Sequence, residues 1–452
     1  MLSTVWFSVA LICVSSAQSA AHQVQILEEG HAALEARLRM IDRAQESIVL
    51  ESFIFEPDSV GVLVLQEVLR KARQGVRVRV LIDDAPLYEK PSPAQVAVLA
   101  QAGVEMRFYH PRWDGNLFQM RSHRKLLSVD GREAITGGRN VSRQYYTLHD
   151  GMNFLDRDVW ISGPVVREID ASFEEFWIND RAKPAPALDP ARRWLRKDKK
   201  AFDDASVTLS SADRSEWEAL RKIGDLQLRM SPVFTVHQVR YVADQPGTSR
   251  SARKVGDAFY ALLEGAESRV QLEHAYFVPL LNERSAFRHA LKRGVKFRIL
   301  TNSEHSLAGE SRALGNIIRR ILAPFADRGV QAYLYPGKPF PIEEAVPGSE
   351  EAIFPIHSKA AVIDRKTSVI GTFNLDARSY DYNAEMMLVF PDHPELAAHL
   401  ERRMESRIAF SHRLLPSGGV LAKPGEIESP GVLKQLETEI RGFLGRALTP
   451  LL

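Results

Sequence analysis

The sequence has very little cysteine. Cys13 is the only one among 452 residues, so no intramolecular disulfide and no thiolate metal cluster can form. An excess of charge of one sign is also missing. The 59 basic and 57 acidic residues leave a net charge of +2, which argues against a polycation that coats nucleic acid and leaves room only for a local basic groove. Metal-binding spacings are absent too: there is no His-Glu-x-x-His, no paired cysteine and no Asp-rich calcium loop. Neither metal nor cofactor is therefore expected. What is present is ordinary for a folded chain of two or three domains, with 45% apolar and 26% charged residues, and it excludes a disordered, collagen-like or polytopic membrane protein.

The amino terminus stands apart. Residues 5–14 (VWFSVALICV) form an apolar run of ten, whereas a spanning helix needs about 20. Small residues follow, and residues 1–21 read as a secretory signal cleaved after Ala21. Ile12, rather than a small residue, precedes Cys13, which speaks against a lipoprotein signal. Cleavage would remove the cysteine and suit an oxidising compartment. The expected location is exported or periplasmic, peripheral to the membrane; the alternative is an uncleaved N-terminal anchor.

Behind this segment the chain is written twice. Residues 44–58 (AQESIVLESFIFEPD) align with 266–280 (AESRVQLEHAYFVPL) at a constant offset of 222, matching Ala44, Leu50, Glu51 and Phe55 to Ala266, Leu272, Glu273 and Phe277. Each run reads as a buried strand. Each leads into a helical pattern, a glycine at the expected helix C-cap (Gly75, Gly294) and a second strand. Strand–helix–strand written twice predicts parallel pairing in α/β layers.

The closest match comes later. HRKLLSVDGREAITGGRN (123–140) and HSKAAVIDRKTSVIGTFN (357–374) share His-x-Lys, an acid five residues after the lysine, then a glycine and an asparagine, all at an offset of 234. One such motif is a weak signal, and two in a duplicated frame are a strong one. Side chains two apart on a strand share a face, so His123 and Lys125 point one way, as do His357 and Lys359. If the copies pack about a pseudo-twofold axis, one cleft receives two imidazoles, two ammonium groups and the amides of Asn140 and Asn374. Such a set suits a tetrahedral phosphate: lysine and asparagine donate to its oxygens, one imidazole serves as nucleophile, and the other protonates a leaving alkoxide. Asp156 and Glu385, each opening a β-prone run after its motif, are the candidates for orienting the histidines. Asp130 and Asp364 complete the catalytic motifs, with bonding of turn amides as their expected work. Of the other histidines only His274 and His305, at or just beyond strands of the second copy, are set aside as of interest.

The doubled His-x-Lys-x4-Asp motif with its trailing glycine and asparagine resembles the phospholipase D superfamily. The GGRN and FNLDARS contexts are most similar to bacterial cardiolipin synthases. The resemblance covers most of residues 23–391. It implies an α/β fold of two pseudo-twofold-related α/β/α sandwich halves forming one active site, complete in a monomer. It implies that His123 attacks a phosphodiester and becomes a phosphohistidine, and that His357 is the acid/base. Lys125, Lys359, Asn140 and Asn374 would bind the phosphate, while Asp156 and Glu385 would hold the histidines. The implied substrate is a phospholipid at a membrane surface: phosphatidylglycerol, with phosphatidylethanolamine as a second lipid. The implied reaction is phosphatidyl transfer to a lipid alcohol. The alternatives are hydrolysis to phosphatidic acid, an exported nuclease disfavoured by the near-neutral charge, and a non-catalytic scaffold. Thr372 departs from the small residue common after the second-motif glycine, and the loop EHSLAGE (304–310) follows no assigned pattern.

The expected organisation is a signal at 1–21, a first half at 22–190, a basic linker or insertion at 191–235, a second half at 236–412 and a tail at 413–452. In the insertion, Arg192, Arg193, Arg196, Lys197, Lys199 and Lys200 flank Trp194 and Leu195. This reads as a solvated helix face, with anionic lipid as the functional alternative. Residues 431–452 read as an amphipathic helix packed on the body.

Overall fold

Alternation with a period of two decides the layering. In the strand Ser47–Ser52, Ile48 and Leu50 enter the core shared with the helices of the first half, and Val49 enters a different core. That second core is common to both halves, since it also takes Ala360, Val362 and Ile370 from the other end of the chain. The computed structural model describes residues 21–110, 120–186, 207–247, 249–281, 283–307, 312–338 and 352–421. The expected signal segment, the basic stretch around Trp194 and the amphipathic tail lie outside the described residues.

The first half runs β1 (His22–Leu27), α1 (Gly30–Arg43), β2 (Ser47–Ser52), α2 (Ser59–Arg73), β3 (Arg77–Asp83), α3 (Pro93–Gln101), β4 (Glu105–Tyr109), β5 (Leu126–Val129), β6 (Glu133–Gly137), β7 (Asp158–Ser162), α4 (Val165–Trp177) and β8 (Ala182–Pro184). Next come α5 (Ser211–Met230) and β9 (Val233–Val236). The second half repeats the first: β10 (Arg240–Ala243), α6 (Val255–Glu264), β11 (Arg269–His274), α7 (Arg284–Lys292), β12 (Lys296–Asn302), α8 (Arg312–Ala326), β13 (Gln331–Tyr335), β14 (Lys359–Ile363), β15 (Thr367–Gly371), β16 (Met386–Phe390), α9 (Pro394–Ile408) and β17 (His412–Leu414), with β18 (Val420–Leu421) added. Each half forms a nine-stranded mixed sheet. The orders are β8-β4-β3-β2-β5-β6-β7-β1-β9 and β10-β16-β15-β14-β11-β12-β13-β17-β18. β2, β3 and β4 are parallel, as are β11, β12 and β13. This is the α/β duplication expected from the repeat.

Local chemistry sets the helix ends. Asp58 caps α2 by accepting from the amides of Val60 and Gly61 at 3.0 Å. Gly75 and Gly294, both at φ 90°, end α2 and α7 in the left-handed region that glycine enters without a steric penalty.

Two expected boundaries shift. Residues 207–235 are part of the first half, because Trp217, Leu220 and Leu228 give α5 an apolar stripe that joins the core around α1, and β9 pairs with β1. The chain crosses between halves from β9 to β10. Likewise β17 and β18 extend the second sheet beyond residue 412, so the expected tail begins inside that sheet.

Charge also joins the halves. Arg157, ahead of β7, donates to Glu28 of the first half and, at 3.1 Å, to Glu273 of the second; Arg407 on α9 donates to the same two carboxylates. All four side chains are buried. Burial opposes ionisation of Glu28, but Arg157, Arg407 and Arg403 outweigh it and bring its pKa down to about 2. Arg157→Leu is therefore expected to leave uncompensated buried carboxylates and to destabilise the protein by about 3–5 kcal/mol, read as a lower urea midpoint; an unchanged midpoint would refute this. Because the folded pKa of Glu28 lies below its unfolded value of ~4.3, its contribution is full above that value. It is lost as pH falls toward about 2.

Candidate active site

Two short bridges between the halves build the site. Ser122 pairs with Ala384, and His123 N–H donates to the Ala384 carbonyl at 2.9 Å. Leu155 pairs with Ile356, and His357 N–H donates to the Leu155 carbonyl at 2.8 Å. One residue beyond each bridge stand His123 opposite Glu385 and His357 opposite Asp156. The pairs therefore cross: His123 Nδ1 lies 3.0 Å from Glu385 Oε2, and His357 Nδ1 lies 2.6 Å from Asp156 Oδ2. Each imidazole thus spends Nδ1 on a carboxylate and leaves Nε2 for chemistry.

The lysines follow their histidines. Lys125 Nζ donates to the His123 carbonyl at 2.7 Å, and Lys359 Nζ donates to the His357 carbonyl. Asn140 Oδ1 accepts from the Ile54 amide at 3.0 Å, which orients the amide group and leaves its buried Nδ2 without a described partner. Asn374 holds its backbone amide on Ser379 Oγ at 3.2 Å, and its Oδ1 has no described partner. His123, Lys125, Asn140, His357, Lys359 and Asn374 are all buried, at 6% exposure or less.

Asp130 and Asp364 do not join this cleft. Each lies at the far end of a strand, five residues and ~17 Å of extended chain from its lysine. Asp130 accepts from the amides of Gln45, Glu46 and Ser47, and Asp364 from those of Glu267, Ser268 and Arg269. Their place among catalytic residues is corrected: they tie the β5–β6 and β14–β15 turns to the starts of β2 and β11. Burial disfavours their charge, but these amide bonds outweigh it and lower both pKa values.

Further groups surround the site; of these Thr372, His274 and His305 stood out in the sequence, and Phe53, Tyr145, Phe154 and Ser379 did not. Phe53 meets the His123 ring edge-on at 5.1 Å, and Tyr145 and Phe154 pack against His357 at 5.2 and 4.9 Å. Thr372 Oγ1 donates to Glu385 Oε2, and Ser379 Oγ donates to Oε1 at 2.7 Å. His274 ends β11 beside Lys359, buried, with neither ring nitrogen paired to a described group. Burial, and then Lys359, lower its pKa to about 3. His305 donates its backbone amide to Ser303 Oγ at 3.2 Å, in the turn after β12. Among the described residues no three His, Cys, Asp or Glu side chains converge as a metal site.

The two acids differ in charge. Burial pushes Glu385 up to about 7, opposed by Lys125, Thr372 and Ser379. Asp156 is equally buried, yet His357, Lys359 and Arg139 hold it well below the ordinary carboxylate range. Gly138 makes room for this: a Cβ there would stand 1.9 Å from Asp156 Oδ1. Its counterpart is Thr372, whose hydroxyl binds Glu385 instead. Burial and the lysines favour the neutral form of both imidazoles, with His357 brought down to about 3. Burial, with Lys359 nearby, lowers Lys125 to about 7 despite Glu385.

A sequence-family model described as "Cardiolipin synthase, PLD-like domain" matches residues 38–177 and 259–408. Cardiolipin synthase B of Salmonella typhi is 28% identical over 379 residues, spanning 82% of this chain and 77% of that protein. Cardiolipin synthase B of Escherichia coli strain K12 is 27% identical over 385 residues, with the same 82% and 77% spans. The crystal structure of phosphatidylserine synthase from Haemophilus influenzae Rd KW20 matches with a TM-score of 0.65 over 95% of each chain at 16% identity, a likeness of fold alone.

Two predictions come from the geometry. Asp130→Ala is expected to cost about 1–3 kcal/mol of stability, while turnover of the folded protein stays within a few-fold of wild type; a selective loss of kcat would return Asp130 to the catalytic set. An oxyanion entering the cleft favours protonated Lys125 and Glu385, both placed near 7 by burial and their neighbours. Inorganic phosphate or tungstate should therefore bind with net proton uptake at pH 7–8. Affinity should weaken as pH rises above 7, by up to about tenfold per unit for each proton taken up. Calorimetry in buffers of different ionisation enthalpy measures this, and binding without uptake would contradict it.

Proposed function

The chain belongs to the phospholipase D superfamily, in the family of cardiolipin synthase-like domains, and from that premise we propose a phosphatidyltransferase that works through a phosphohistidine. One observation carries the proposal. Two histidine–carboxylate pairs, each assembled across the halves, share one buried cleft with two lysines and an amide whose nitrogen is unpaired.

The asymmetry of the acids supports one division of roles. His357 faces an ionised Asp156, which stabilises an imidazolium and suits proton transfer. His123 faces a carboxyl that burial raises to about 7, which supports an imidazolium less well and so suits a nucleophile. His123 Nε2 attacks the phosphorus of a phosphatidylglycerol. The P–O bond to the departing glycerol breaks as His357, which takes up a proton when the anionic phosphodiester binds, passes its Nε2 proton to that oxygen. Lys125, Lys359, Asn140 and Asn374 hold the non-bridging oxygens as charge develops. The incoming alcohol then gives its proton to His357 and attacks phosphorus, and the P–N bond breaks. A second phosphatidylglycerol as acceptor yields cardiolipin; water yields phosphatidic acid. A single chain supplies every group named.

Among the described residues no helix is long and apolar enough to cross a membrane. The proposal includes export through residues 1–21 and action at the membrane from outside the cytoplasm.

The test is product analysis by mass spectrometry after incubation with phosphatidylglycerol vesicles, with and without phosphatidylethanolamine. Cardiolipin is expected from the wild type, and His123→Ala and His357→Ala should each lower turnover at least about 1,000-fold. His357→Ala should also accumulate protein heavier by one phosphatidyl group. Phosphatidic acid alone would make the protein a hydrolase, and no lipid product would sink the proposal.

A further inference from the structure

Outside the cleft, the loop after β11 and the faces of α7 and α8 enclose a groove of about 480 Å³. Its floor is apolar, with Ile321 among the lining side chains, and Leu281 stands at its edge 74% exposed. Arg284, Arg288, Arg320 and Arg328 line it, and among the described residues no acidic side chain does, the nearest named carboxyl being Glu283, which acts on Arg284 from beside the groove. An apolar floor beneath a wholly cationic rim fits one kind of ligand, an anionic amphiphile with its chain on the floor and its phosphate against guanidinium groups. A sugar–phosphate backbone would use the arginines but neither the floor nor Leu281.

The duplicated fold does not require this groove. At the position of Leu280, the first copy has Asp58, which is spent on capping α2. Arg284 and Arg288 crowd each other: burial first, and then the neighbouring charge of Arg288, lower the pKa of Arg284. A bound anion would relieve that repulsion. The groove also touches the active site. Val278 N–H, in its wall, donates to the Leu375 carbonyl at 2.7 Å, one residue beyond Asn374. On the other side of the cleft, Leu87 is 85% exposed in the loop after β3, whose Tyr88 packs on Phe53 and so on the His123 ring. Each half thus carries one exposed leucine in a loop that is linked to the segments of the catalytic centre.

We propose that the Arg284–Arg288–Arg320–Arg328 groove, with Leu281 inserted, is the site at which the protein docks on anionic phospholipid at a bilayer surface. This rests on the reading that the substrate is a phospholipid. It adds a non-catalytic lipid site that turns the cleft toward the membrane.

The experiment is co-sedimentation of the full chain with vesicles of phosphatidylcholine alone or mixed with phosphatidylglycerol. It compares wild type, the double variant Arg288→Glu/Arg328→Glu, Leu281→Asp and the cleft variant His357→Ala. Wild type and His357→Ala are expected to bind the mixed vesicles at least tenfold more tightly than neutral ones. The double variant and Leu281→Asp should each lose at least tenfold on mixed vesicles. Both should turn over a short-chain phosphatidylglycerol, kept below its micellar concentration, at the wild-type rate. Full binding by both groove variants, or equal wild-type binding to neutral vesicles, would overturn the docking site. Retained groove-dependent binding by a protein that makes no lipid product would instead overturn the catalytic reading and leave the docking site standing.

Discussion

Each histidine of the cleft is positioned by a carboxylate from the opposite half of the chain, and the rest of the structure is arranged around that crossing. The two contacts span 262 and 201 residues, and each sits one step beyond a backbone bridge between the halves. Neither half can therefore orient its own histidine. The shared apolar core, with Val49 and Leu126 on one side and Ala360 and Ile370 on the other, brings the sheets face to face. The buried Glu28–Arg157–Glu273–Arg407 network fixes the halves beside Asp156. Hydrophobic burial supplies the attraction, and the directional charge contacts supply the register.

Within that frame a single pair of positions breaks the symmetry. Gly138 with Asp156, and Thr372 with Glu385, occupy equivalent places. A short acid lies against bare backbone in the first half, and a longer acid bonds a hydroxyl in the second. Both acids are fully buried, so desolvation raises both pKa values. The difference lies in how far it is opposed: His357, Lys359 and Arg139 outweigh burial at Asp156, whereas Lys125, Thr372, Ser379 and Lys359 do not at Glu385. A nearly symmetric fold thereby gives its two histidines different partners, which two identical environments could not do.

Much of this was legible in the sequence, for physical reasons that can be named. Strand alternation, the C-cap positions of Gly75 and Gly294, and the paired His-x-Lys motifs are local patterns; the glycines end α2 and α7, and the motif lysines lie close enough to act on both histidines. Asp130 and Asp364 belong to the motifs but bond backbone amides, as their turn positions suggested; the strand carries them away from the lysines to the opposite end. The crossed pairing was illegible because it is a tertiary contact with no local spacing. The same holds for Phe53, Tyr145 and Phe154, whose rings touch the histidines from separate loops. The insertion looked like a linker because its basic stretch dominated the composition, yet Trp217, Leu220 and Leu228 build α5 into the first core.

Burial of the cleft also bears on how substrate must arrive. The six histidine, lysine and asparagine side chains of the cleft stand at 6% exposure or less and leave little protein surface to grip two acyl chains. A lipid substrate can keep its tails in the bilayer if the protein holds the cleft against the membrane, and then only the headgroup phosphate has to enter. The exposed leucines, one on each half, and the cationic groove beside Asn374 supply the attraction such an approach requires. On this account the fold divides the work: the pseudo-twofold centre handles phosphate chemistry, and the less symmetric rim of the second half handles the membrane. Because the groove has no counterpart to Leu280 in the first copy, membrane contact can change in sequence without disturbing the four cleft residues that each half contributes.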